Sequence, residues 1–302
     1  MRRILLALLL AFLPLAVTAG PRVAVRTVPA GTNIDWSYAQ NRDPVRYRSG
    51  GVDLTLRGQP DADSPELIRP ILTVAMPGFA PVRAEGADTP ESFDHRVTVG
   101  RWDATRPYVL FQSYSGGAHC CTQVQIIYPE NGRLQVVDLG EWDSGYWDNL
   151  PADRNGDGRI DFEFVDNAFL YAFASYAESS APPLIMNVVG GRAVDVSTDP
   201  GFRPLYERSM VAERQACLHP DDGLTPNGAC AVYVASAARL GRFDQAWSEM
   251  LRSYDRNSSW PLPGDCRVAL VDYQCPEGQR TEYADYPEAL RAFLVHQGYI
   301  ER

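Results

Sequence analysis

The chain has no lysine: all 28 of its basic residues are arginine. That excludes a P-loop lysine, a Schiff-base lysine and a Ser-Lys dyad, because guanidinium cannot act as the compact ammonium or neutral amine they need. Histidine is scarce too; His95, His119, His219 and His296 are the only four, and none stands at metal-helix spacing from another. No G-x-S-x-G elbow, H-E-x-x-H pair or Rossmann glycine fingerprint occurs. Past the N-terminus no stretch reaches the ~20 apolar residues of a transmembrane helix, so no membrane span is expected. Acids outnumber arginines 38 to 28, a formal charge of −10. This balance argues against nucleic acid and anionic membrane surfaces as partners.

What is present begins with an export pattern. Arg2 and Arg3 precede an apolar run over 4–17, and Val17-Thr18-Ala19 places small residues at −3 and −1 of a cleavage site before Gly20. Residues 1–19 are therefore expected to be a signal peptide, and losing Arg2 and Arg3 with it deepens the charge from −10 to −12. Six cysteines in an exported chain point to disulfides. Spacing favours Cys217 with Cys230 and Cys266 with Cys275, leaving the adjacent Cys120 and Cys121.

Hydrophobic periodicity predicts an α+β fold. Residues 20–205 read as a β-rich domain, an antiparallel meander or sandwich with two weakly repeated, propeller-blade-like units. Strands are predicted over 51–56, 71–76, 95–99, 108–114, 122–128, 134–139, 160–165, 169–173, 184–189 and 193–196, with a tight hairpin turn at Asn131-Gly132. Residues 206–302 read as a small disulfide-bonded helical subdomain, with helices over 206–218, 229–240, 243–254 and 287–297. The segment 240–246 resembles the turn of a tetratricopeptide-type hairpin, but it covers one repeat at most, so an ordinary αα-hairpin is expected.

The sharpest motif is Asp153-Arg154-Asn155-Gly156-Asp157-Gly158-Arg159-Ile160-Asp161. Side-chain oxygens stand at positions 1, 3, 5 and 9, and the carbonyl of Arg159 adds another. Calcium takes 6–8 hard oxygen ligands, and a loop curled around it turns alternate side chains inward. The motif is similar to the calcium loops of integrin-type FG-GAP (and VCBS-like) repeats, dockerins and thrombospondin type-3 repeats. Position 12 is Phe164, so the bidentate glutamate of an EF-hand is missing and Asp161 would complete the shell. The resemblance implies a structural Ca2+ held by Asp153, Asn155, Asp157, Arg159 and Asp161.

A second segment is Ser113-Tyr114-Ser115-Gly116-Gly117-Ala118-His119-Cys120-Cys121. Neighbouring Cα atoms lie closer than disulfide geometry favours. Three readings stay open: a vicinal disulfide on a turn facing a ligand, separate bridges from each cysteine to the C-terminal part, or a soft-metal or redox site with His119. Gly116 and Gly117 permit a close backbone approach. A third segment, Glu141-Trp142-Asp143-Ser144-Gly145-Tyr146-Trp147-Asp148, mixes aromatics and acids. It suits a sugar cleft, or tryptophans packed on the sheet with acids facing outward, and the second is favoured.

The SGGAHCC segment, the 157–173 stretch and the hairpin into 193–197 resemble a group of uncharacterised bacterial secreted or periplasmic proteins. That resemblance implies compartment and general class, with no activity attached. The expectation is an exported, calcium-stabilised binding or structural protein of the cell envelope. Its ligand-binding candidates are His119, Cys120, Cys121, Gly116 and Gly117. The alternatives are a secreted glycan or peptide hydrolase using Asp143, Asp148, Glu163 and Asp166, and a thiol-redox or metal-handling protein at His119, Cys120 and Cys121.

Overall fold

The computed structural model describes residues 24–117, 121–143, 146–147, 150–264, 266–269, 271 and 275–302. The predicted signal peptide, His119, Cys120 and Asp148 lie outside the described residues. In chain order the strands are β1 (Val25–Thr27), β2 (Asn33–Trp36), β3 (Val45–Ser49), β4 (Val52–Pro60), β5 (Leu67–Ala75), β6 (Val82–Glu85) and β7 (Thr89–Pro90). They continue as β8 (His95–Arg101), β9 (Pro107–Tyr114), β10 (Thr122–Glu130), β11 (Arg133–Trp142), β12 (Phe162–Val165), β13 (Pro183–Val189) and β14 (Arg192–Asp195). Helices α1 (Arg203–Leu218), α2 (Asn227–Arg239), α3 (Phe243–Ser253) and α4 (Tyr286–His296) follow.

The strands form three sheets. The first runs β1-β3-β4-β5-β6 with β7 also on β5; the second runs β11-β10-β9-β8-β2; the third is β12-β13-β14. Pairing is antiparallel except between β1 and β3. The fold is thus α+β with mostly antiparallel sheets and a disulfide-bonded helical part.

Alternation sets which face of each sheet is buried, and the second sheet buries both along β9 and β10. From β9, Val109 and Phe111 face the first sheet, packing with Tyr47, Leu54 and Val74. Their neighbours Tyr108 and Leu110 face the opposite way and meet Phe162, Phe164 and Val188 of the third sheet. This is why 108–113 is buried without interruption, where a strand with one wet face would alternate. The third sheet then turns Ile185 toward Phe202, Leu205 and Tyr206 at the start of α1. The result is four stacked layers: sheet, sheet, sheet, helices.

Local chemistry explains the connections. Asn131 and Gly132 take φ of +50° and +76°, the left-handed pair that a two-residue hairpin needs. Gly241 at φ +73° ends α2, its N–H bonding to the Ala238 carbonyl. The pairs Cys217–Cys230 and Cys266–Cys275 both form, the first joining α1 to α2. One element departs from expectation: 169–173 is not a strand. Asp166 caps a short 3-10 turn by accepting the Ala168 N–H at 3.1 Å, and Tyr171 has φ +60°, which ends any extended run. Phe169 and Phe173 both enter the helical core instead.

Tyr108 illustrates how tightly the middle layer is closed. It stands opposite Gly100, where a Cβ would collide with its ring, and its buried hydroxyl finds no partner among the described residues. An unmet buried hydroxyl costs roughly 1–3 kcal/mol. Tyr108→Phe is therefore expected to leave stability unchanged or raise it by about 1 kcal/mol in urea unfolding. A clear loss would show that the hydroxyl is paired.

Candidate functional site

Three of the predicted segments gather near one end of the second sheet or along the third. The loop between β9 and β10 closes on itself at its neck: the Ser115 N–H donates to the Cys121 carbonyl at 2.9 Å, and the Cys121 N–H donates to Ser115 Oγ at 2.8 Å. Gly116, at φ +86°, sits on Phe93, and a Cβ there would lie 3.1 Å from that ring. The Tyr114 hydroxyl donates to the Gly117 carbonyl, and its ring meets Phe93 edge-on at 5.9 Å. Gly117 is exposed.

Cys121 is disulfide-bonded. The four C-terminal cysteines are bonded to one another, so the reading of bridges from this loop to the helical part is corrected. Cys121 accordingly enters as a disulfide sulfur and not as a thiolate ligand. His119 and Cys120 are outside the described residues.

Beneath the loop lies a buried polar node. His95 and Ser113 face each other across β8 and β9, with Ser113 Oγ 3.0 Å from His95 Nδ1. The Ala87 N–H donates to the same Oγ at 2.9 Å, and Thr89 Oγ1 lies 3.5 Å from His95 Nε2. The imidazole is 2% exposed and 5.9 Å from the Trp36 ring. Burial pushes its pKa down to about 4. Ser113 is 1% exposed. The pair therefore anchors the first sheet to the second and is sealed from substrate.

The 141–148 segment divides its residue types. Trp142 stacks on Phe164 at 4.1 Å, and Trp147 lies 4.7 Å from the same ring, its backbone N–H donating to Gln112 Oε1 at 2.8 Å. Both tryptophans thus pack on the β layers. Asp143 stays at the surface of the packing and accepts the Tyr176 hydroxyl at 3.0 Å. That hydrogen bond to Asp143 is the main cause of the raised pKa of Tyr176. Asp148 lies outside the described residues, and the other two acids of the set go elsewhere. Glu163 lies 3.8 Å from Arg154. Asp166 accepts the Tyr299 hydroxyl at 3.0 Å, and burial raises its pKa.

Next to Asp143 the structure assembles residues that sequence reasoning passed over. Tyr171, 46% exposed, lies 5.3 Å from Tyr176 and 6.5 Å from Trp260 between ring centroids. Its backbone is held by Ser179 Oγ, which accepts its N–H at 3.1 Å, and by Trp260 Nε1, which donates to its carbonyl at 2.9 Å. The left-handed conformation costs a residue with a Cβ on the order of 1–2 kcal/mol. The alternation that made 169–173 look like a strand hid this outlier.

The acidic loop 153–161 is closed at its neck by an antiparallel bridge between Ala152 and Asp161. Its oxygens hold the loop's own amides. Asp153 accepts from Gly156 at 2.7 Å and Gly158 at 2.9 Å, Asn155 from Asp157 at 3.1 Å, and Asp157 from Arg159 at 2.8 Å. Asp161, 1% exposed, takes the Arg154 N–H at 2.6 Å and Asn187 Nδ2 at 2.7 Å. The Asn155 side chain rests on Gly201, just before α1. The donor chemistry is that of a hard-cation loop, since each oxygen keeps a second lone pair. In this arrangement, however, no three carboxylate, imidazole or thiolate groups among the described residues converge as a metal cluster.

Comparison with known proteins follows the same division. A family model described as the sll0997 C-terminal domain matches residues 206–298, the helical layer. The probable thylakoid lumen protein sll0997 of Synechocystis sp. (strain ATCC 27184 / PCC 6803 / Kazusa) is 37% identical over 239 residues, 77% of this chain and 68% of that protein. That likeness is longer than the helical part and so takes in strands as well. The uncharacterized protein y4bJ of Sinorhizobium fredii (strain NBRC 101917 / NGR234) is 32% identical over 272 residues. The match covers 88% of this chain and 42% of y4bJ, so the chain spans less than half of that relative. No solved structure matches.

The His95 node carries a pH prediction. The unfolded imidazole protonates below 6.5 while the folded one stays neutral down to about 4. Stability is therefore full above pH 6.5 and falls as pH drops from there to about 4, by on the order of 3 kcal/mol. Urea midpoints at pH 7, 5.5 and 4 should show this slope in the wild type and a shallower one in His95→Gln. Equal slopes would mean that His95 is not held neutral.

Proposed function

This chain belongs to the family of the probable thylakoid lumen protein sll0997, and from that kinship we propose that it is an exported, calcium-stabilised binding or structural protein of the cell envelope. The observation that carries the compartment is the lumen assignment in that relative's name, together with cysteine usage. Both C-terminal pairs are disulfides, Cys121 is bonded, and no free cysteine occurs among the described residues. Such bonds persist in oxidising compartments outside the cytoplasm. The export pattern in 1–19 supports the same reading. No helix among the described residues is long and apolar enough to cross a membrane.

The proposed binding face is the β9–β10 loop, with Gly116, Gly117, His119, Cys120 and Cys121 as its residues. The neck bonds of Ser115 and Cys121 support a preformed turn there, and exposed Gly117 leaves its backbone open to a ligand. In this reading Cys120 and Cys121 are bonded to each other and stiffen the tip. Calcium is a structural staple in the 153–161 loop. The oxygen spacing and the φ of +83° at Gly158 support it, and the contact of Asn155 with Gly201 would pass its stabilisation to the helical layer.

Two measurements test the proposal. Tryptic mapping without reduction should return the peptide carrying Cys120 and Cys121 as one species two hydrogens lighter than its reduced form. Cross-links to another peptide would remove the stiffened-tip reading. For calcium, a site with a dissociation constant of about 0.1–1 mM gains about 1.4–2.7 kcal/mol at ~10 mM Ca2+. Adding Ca2+ to chelated protein should raise Tm by a few degrees, and Asp157→Ala should abolish that rise. A melt indifferent to both Ca2+ and chelator would sink the staple.

A further inference from the structure

The strained tyrosine beside Asp143 goes beyond that reading, because neither it nor its neighbours belong to the β9–β10 loop or the 153–161 loop. Tyr171 takes φ +60° while leaving 46% of its surface in water. Glycine would adopt this backbone without strain, and burial of the ring does too little to offset it. The hydrogen bonds from Trp260 and to Ser179 hold the strain in place, and strained backbone held in this way clusters at ligand sites. The strain presents the ring beside two others. Tyr176 lies 5.3 Å away, and Trp260 lies 6.5 Å away with its plane 22° from that of Tyr171, an offset arrangement. Asp143 stands at the rim through its bond to Tyr176.

We propose that Tyr171, Tyr176 and Trp260 form a stacking platform for the apolar C–H face of an uncharged pyranose oligosaccharide, with Asp143 accepting a sugar hydroxyl at its edge. Hydrogen-bond polarity selects this class over a proline-rich peptide, which also docks on aromatic ridges. Such a peptide offers carbonyls and needs donors. The indole N–H of Trp260 is already given to the Tyr171 carbonyl, and the Tyr176 hydroxyl to Asp143. The rim presents the Asp143 carboxylate, an acceptor that a sugar hydroxyl can meet and that prolyl amides, which carry no N–H, cannot. A net charge of −10 without a lysine disfavours phosphorylated or sulfated glycans.

The test uses the purified protein titrated with cellohexaose, chitohexaose and laminarihexaose, read by calorimetry and tryptophan emission, with a decaproline peptide in parallel. At least one sugar should bind, and Tyr171→Gly and Trp260→Ala should each weaken it by about tenfold or more. Tyr171→Gly relieves the backbone strain, so its Tm should equal or exceed that of the wild type, which separates loss of the platform from loss of the fold. Should Trp260→Ala fail to fold, Tyr171→Gly alone decides. The proposal is overturned if no sugar binds at ~5 mM, if binding survives Tyr171→Gly undiminished, or if decaproline binds through Tyr171 and the sugars do not.

Discussion

The structure depends on a pair of central strands with no wet face. β9 and β10 send Val109, Phe111 and Ile127 into one core and Tyr108, Leu110, Ile126 and Tyr128 into another. Each buried aromatic or aliphatic side chain contributes roughly 1.5–3 kcal/mol of transfer free energy, and here a single pair of strands supplies two cores. The first sheet, the third sheet and, through Ile185, the helices are all held in place by covers laid over this layer or over one another. Between the layers the polar groups of His95, Ser113 and Ala87 satisfy one another, whereas the Tyr108 hydroxyl is left without a partner among the described residues.

That arrangement leaves chemistry to the ends of the middle sheet and the joints between layers. The β9–β10 loop leaves the sheet where Ser115 and Cys121 close its neck. The 153–161 loop touches the joint between the third sheet and α1 through Asn155 and Gly201. Tyr171 and Trp260 meet where the coil after β12 runs against the helical part. Of the four acids grouped as a possible catalytic set, the three described ones answer to different joints: Asp143 to Tyr176, Glu163 to Arg154, Asp166 to Tyr299.

Local signals were readable where one periodicity dominates. The Asn131-Gly132 hairpin, the helices around Cys217 and Cys230, and both C-terminal disulfides follow from turn chemistry, 3.6-residue spacing and short cysteine separations. The strands β1, β2, β3, β6 and β7 escaped notice because they are short or carry arginines and acids on the wet face, as in Val45–Ser49. The stretch 169–173 misled because Phe169 and Phe173 reach the helical core from a coil, so their alternation reports burial and not extension. The Tyr171–Trp260 pairing was invisible for a simpler reason: contact across 89 positions leaves no local trace.

The layers are written into the chain almost in the order in which they stack, from the first sheet to α4. A chain that emerges N-terminus first can complete β8 to β11 while 162–188 is still to come. At that stage Tyr108, Leu110, Ile126 and Tyr128 form a bare apolar sheet face without its cover. The two-sided sheet that makes the finished protein stable thus gives the nascent one a sticky interval, and vectorial folding must bridge it before that face meets another like it.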